Sequence, residues 1–156
     1  MPVRHRSRQR AVQVLFQADM RQQPVSDAIR NFYETLHTHE ALETPEDDAL
    51  PQLPHDGFME TLARGAFDRR ESIDLQIQQH SANWRIERMP SVDRNILRLA
   101  VYELQAEDTP APVVIDEALE LAREFSAPES VSFINGVLDA IRKGNPTDAE
   151  KASGGQ

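Results

Sequence analysis

The fold is decided by one stretch, Ser91-Val-Asp-Arg-Asn-Ile-Leu-Arg-Leu-Ala-Val-Tyr-Glu-Leu104. Val92, Ile96, Leu97, Leu99, Ala100, Val101, Tyr102 and Leu104 cover more of a helical circumference than one amphipathic stripe would. Such a helix needs neighbours on most sides. Pro90 precedes it, and the Ser91 hydroxyl is placed to cap its first turn. Asp93, Arg94, Asn95, Arg98 and Glu103 are the residues expected to resist burial. Two readings are open for them: helix-dipole service by Asp93 with a solvated Arg94/Arg98 edge, or a binding role.

Outward from this helix, apolar residues recur at three and four. Toward the N-terminus, Ala11, Val14, Leu15 and Ala18 form one helical face; Ile29, Phe32, Tyr33 and Leu36 form a second after Pro24. Asp56 and Gly57 open a third helix. A fourth is expected from about Ser72, carrying Ile73, Ile77, His80 and Trp84; whether it is continuous with the third is open. Beyond Pro110 and Pro112, Val114, Ala118, Leu121 and Ala122 define a sixth helix, with Asp116, Glu117 and Glu120 outward. From Pro128, Phe133, Ile134, Val137, Leu138 and Ile141 define a seventh. Its periodicity runs through Asn135-Gly136, so Gly136 is expected at a close helix contact. No segment shows the period-two alternation of a strand. The fold class is therefore all-α: about seven helices in two packed small bundles. A single domain is expected over residues 8–146, with a basic arm and helix start over 1–10. An acidic, Pro-rich loop near 43–55 and a disordered tail over 147–156 complete the expected organisation.

The formal net charge of −9 is unevenly spread. Residues 1–22 hold Arg4, Arg6, Arg8, Arg10 and Arg21 against Asp19 alone, a local excess of +4. Between Arg30 and Arg64 there is no Lys or Arg, while acidic residues accumulate. This is the pattern of a basic arm on an acidic body, and a polyanion binds where arginines neutralise its phosphates. On a helix, Arg4 aligns with Arg8 and Arg6 with Arg10; alternatively Ser7 caps a helix starting at Arg8 and leaves a mobile arm.

Zero cysteines excludes disulfides and thiolate chemistry. His37 and His39, two apart, would point about 200° apart on a helix and do not make a metal pair. No glycine-rich phosphate loop occurs. Neither catalysis, a cofactor nor a metal is expected, and without a membrane-spanning run or signal peptide the expected location is cytoplasmic.

Four motifs in order resemble the NusB family of bacterial transcription antitermination factors. They are Arg10-Ala11-x-Gln13-x-Leu15-Phe16, Asp93-Arg94-x-Ile96-Leu97-Arg98-x-Ala100-x-Tyr102-Glu103-Leu104, Pro112-x-Val114-Ile115-x-Glu117-Ala118-x-Glu120-Leu121-Ala122, and Phe133-x-Asn135-Gly136-Val137-Leu138-Asp139. The resemblance implies a two-bundle fold and a noncatalytic role. That role is binding single-stranded boxA RNA of ribosomal RNA leader transcripts with NusE, a small-subunit ribosomal protein, within an RNA polymerase antitermination complex that includes other Nus factors. On this view Arg4, Arg6, Arg8 and Arg10 contact phosphate and Gln13 offers a donor and an acceptor. Phe16, Glu129 and Phe133 match positions near RNA, although the spacing of the two aromatics equally fits core packing. Asp93, with Arg94 beside it, matches a partner-binding position. The competing expectation is a protein-interaction module or homodimer with the arginine arm buried.

Overall fold

The computed structural model describes residues 2–43, 55–81 and 84–144. Among them are seven α-helices: α1 (Pro2–Arg21), α2 (Val25–Glu43), α3 (Gly57–Asp68), α4 (Arg70–His80), α5 (Ser91–Ala106), α6 (Ala111–Phe125) and α7 (Pro128–Lys143). A single 3-10 turn, Ile86–Arg88, lies between α4 and α5. The expected acidic loop and C-terminal tail lie largely outside the described residues.

The chain divides into two compact units, Met1–Arg64 and Gly65–Gln156, with the boundary inside α3. In the first, the buried faces are Ala11, Val14, Leu15 and Ala18 on α1, Val25, Ala28 and Ile29 on α2, and Met59, Leu62 and Ala63 on α3. These are the stripes that three-and-four spacing predicts. In the second, α5 packs against α4, α6 and α7, and Ile96, Leu97, Leu99, Ala100 and Val101 are all buried. Each such large side chain removed from water contributes roughly 1.5 to 3 kcal/mol, which is why α5 organises this unit.

Several local expectations are corrected. The helix starts one residue earlier than a Ser91 cap requires: Pro90 occupies the cap position and makes no side-chain cap bond. The polar residues of α5 are mostly inside it. Asp93, Asn95 and Glu103 are buried, and Arg98 is no solvated edge, since its guanidinium grips Asp74 through two bonds of 2.7 and 2.8 Å. Arg98 also donates to Asn95 Oδ1 at 3.1 Å, and Asn95 Nδ2 donates to the Ser91 carbonyl at 2.7 Å. A buried charge persists when paired and hydrogen-bonded in this way. α3 and α4 are two helices separated by Arg69, α4 starts at Arg70, and Trp84 lies beyond its end.

Gly136 makes no close contact: a Cβ built there meets nothing within 4 Å. The close approach is at Gly65, where a Cβ would lie 2.1 Å from the Tyr102 ring. Periodicity shows that a glycine sits in a helix, but what faces it depends on chain packing.

Candidate nucleic-acid interface

α1 starts at Pro2, so Ser7 does not cap a later helix and Arg4 to Arg10 all lie on the helix itself. Of the four arginines Arg4 lies in the first turn, where the positive end of the helix dipole disfavours a cation. Two residues from around the α3 start engage this segment. Asp56 accepts from Ser7 Oγ at 2.8 Å, from Arg10 Nη1 at 3.1 Å and from the Met59 amide at 2.9 Å. It thereby caps α3 and ties α1 to it, as an N-cap carboxylate can when it has oxygens to spare. Phe58 lies under two cations, with the Arg4 and Arg8 guanidinium carbons 4.7 and 5.3 Å from its ring centroid. Stacking of this kind orients a guanidinium without neutralising it.

The arginine row therefore separates by environment. Arg8 is only 3% exposed and Arg10 is half-buried and paired with Asp56. Arg4 and Arg6 remain exposed. On the same helix Gln13 is exposed and Phe16 is 37% exposed, so Phe16 does not serve the core. Exposed Arg6, Gln13, Phe16 and Met20, with half-buried Gln9 between the first two, are spaced three and four apart and make one stripe of charge, amide and apolar surface.

Behind this face, Tyr33 on α2 accepts from the Asp56 amide and donates to Glu60 Oε2, each at 2.9 Å. Burial pushes the Tyr33 phenol up from 10.0 to about 12, helped by the hydrogen bond to Glu60 and the charges of Glu60 and Asp56; the bond from the Asp56 amide acts in the other direction.

The remaining candidates are in the second unit. Glu129 is exposed in the first turn of α7 and Phe133 is half-buried one turn on. Phe133 meets Trp84 edge-to-face, with centroids 6.2 Å apart. Asp93 is 3% exposed, and its two oxygens accept from Ser126 Oγ at 2.6 Å and Ser130 Oγ at 2.5 Å. It fastens α5 to the start of α7 from inside the unit. Arg94, beside it, is half-buried.

The sequence reading placed Asp56 at the start of the third helix and Trp84 on the fourth, but it gave no site role to Asp56, Phe58 or Trp84. An aspartate before a helix is a visible cap signal, but its reach to residues 46 and 49 positions away is not. Among the described residues, no group of three or more His, Cys, Asp or Glu side chains is placed to hold a metal ion, and no helix is long and apolar enough to cross a membrane.

The comparisons agree with this architecture. The protein is 53% identical over 146 residues to transcription antitermination protein NusB of Solibacter usitatus, covering 94% of this chain and 92% of that one. Its fold matches T. maritima NusB with a TM-score of 0.72 and 30% identity, over 96% of both chains. It also matches a chain in the crystal structure of antitermination factors NusB and NusE in complex with dsRNA, with a TM-score of 0.69 and 27% identity, over 92% of this chain and 98% of that one. With the NusB family model matching residues 5–143 as well, the chain belongs to the NusB family.

Proposed function

We propose that this protein is a noncatalytic, RNA-binding transcription antitermination factor. It binds single-stranded boxA RNA of ribosomal RNA leaders together with NusE and promotes processive transcription by RNA polymerase within a complex of other Nus factors. The observation that carries the reading is the α1 stripe that runs from exposed Arg6 through Gln13 to an exposed Phe16, with Arg4 adding a second exposed cation on the Phe58 side of the same helix. Arginines supply the phosphate attraction, while an amide and an aromatic ring supply base-edge and stacking contacts. Arg8 and Arg10 support this face from behind, through Phe58 and Asp56. Glu129 and Phe133 contribute base contacts from α7. Asp93, with Arg94, shapes a partner surface by holding the start of α7 in place. The solved complex of a family member with NusE and RNA supports the choice of partners.

The test is binding of a labelled boxA-like RNA at moderate salt, alone and with NusE, against a scrambled RNA. Preference for boxA that strengthens with NusE is expected. Equal, weak binding to both RNAs in both conditions overturns the reading, and a concentration-dependent mass in the same samples would then favour a homodimer.

A further inference from the structure

Trp84 is an exposed aromatic on a rigid mount. It lies outside regular structure between α4 and the 3-10 turn, and its side chain is among the most exposed large hydrophobic ones, at 54%. Its backbone is nevertheless held: Gln78 Nε2 and Ser81 Oγ both donate to the Trp84 carbonyl, at 3.1 and 3.0 Å. Gln78 Oε1 in turn accepts from the Ile86 amide at 2.9 Å. The ring is steadied edge-on by Phe133. An aromatic that only filled the core would be buried, and one on a slack loop would lose entropy on binding; this one is held in place and presented to solvent.

Its surroundings indicate what it faces. The exposed residues next along the chain are Arg85, Glu87 and Arg88, so the ring does not belong to a continuous apolar patch of the kind that seats on a protein. Among the described residues neither Arg85 nor Arg88 makes an ion pair. One turn beyond Phe133, Gly136 leaves open space on α7 where a side chain would otherwise project. A mid-helix glycine costs about 1 kcal/mol relative to alanine, and nothing within the unit requires this one. Glu129, one turn before Phe133, disfavours a phosphate there but can accept from an exocyclic amine.

We infer that Trp84 is a stacking platform for an unpaired RNA base, with Phe133 steadying the ring and Arg85 and Arg88 attracting the flanking phosphates. The inference rests on the RNA-binding reading and adds a base-recognition point to it. Base stacking on aromatics is sequence-tolerant, so Trp84 contributes affinity for single strands in general rather than choice of sequence.

Trp84 is the sole tryptophan of the chain, so its fluorescence reports on this position alone. The full chain is titrated with an end-labelled single-stranded oligoribonucleotide while label anisotropy and tryptophan emission are followed together. Quenching that tracks the anisotropy with the same midpoint is expected. Trp84→Ala should weaken binding roughly 5- to 150-fold, the range that stacking of one base spans, with Trp84→Phe retaining most of the affinity and circular dichroism unchanged. Anisotropy that rises while emission stays constant overturns the platform and leaves RNA binding standing. No rise in anisotropy removes both. Emission that changes on concentrating the protein without RNA assigns the ring to a second copy of the chain and also overturns the inference.

Discussion

At the scale of single residues, two glycines in helices have opposite roles. At Gly65 a Cβ would fall 2.1 to 2.5 Å from Tyr102 ring atoms, and that ring also lies under the Arg69 guanidinium, 5.6 Å from its centroid. Gly65→Ala should therefore destabilise by about 1 to 2 kcal/mol, overpacking outweighing the better helix propensity. At Gly136 the space is open, and Gly136→Ala should stabilise by roughly 0.5 to 1 kcal/mol. Urea denaturation of both variants checks the pair, and equal shifts of the same sign would contradict the packing described. Tyr33 gives a pH test. Its phenol titrates near 12 in the folded chain against 10.0 for an unperturbed tyrosine. A raised folded value means the neutral form is favoured by folding, so the contribution is fully present below pH 10.0 and is lost as pH rises toward about 12. The difference in phenolate absorbance between the parent and Tyr33→Phe should show a midpoint near 12. A midpoint near that of free tyrosine would mean the ring is solvated.

At the scale of elements, α5 is both an apolar core and a polar fastener. Leu97 is fully buried, so Leu97→Ala should cost about 2 to 5 kcal/mol through the cavity it leaves. Asp93 joins this helix to the C-cap of α6 through Ser126 and to the first turn of α7 through Ser130. Removing the carboxylate in Asp93→Ala leaves both donors without their acceptor and should cost roughly 2 to 4 kcal/mol. Hydrogen exchange should rise first around Ser126 to Phe133, and a uniform rise across the second unit would show that the contact is not local. The same contact bears on function, because the α7 start carries Glu129 and Phe133. Sequence reading located α5 from its apolar residues but placed its polar ones outside; a side chain that buries its charge against a serine 33 or 37 residues away has no local signature.

For the whole molecule, a net charge of −9 does not argue against a polyanionic ligand, since screening confines electrostatics to the nearest charges. The exposed cations at the start of α1 are Arg4 and Arg6. Arg4→Ala with Arg6→Ala should reduce the log-log salt slope of RNA affinity by roughly 1.4, the value for two phosphates of a single strand, while leaving helicity intact. A reduction near zero would place the phosphate contacts elsewhere. Arg8→Ala should act differently, lowering stability because the residue is buried against Phe58. The sequence by itself determined the all-α class, the order of the helices, most of their buried faces and the family, because three-and-four periodicity and proline and glycine stops are local properties of the chain. Only the tertiary structure decided which arginines stay in water, that Asp56 and Asp93 are fasteners, and that the close approach of a helical glycine falls at Gly65 rather than at Gly136. Those outcomes depend on which distant side chain supplies the partner, and burial and pairing are settled when the helices meet.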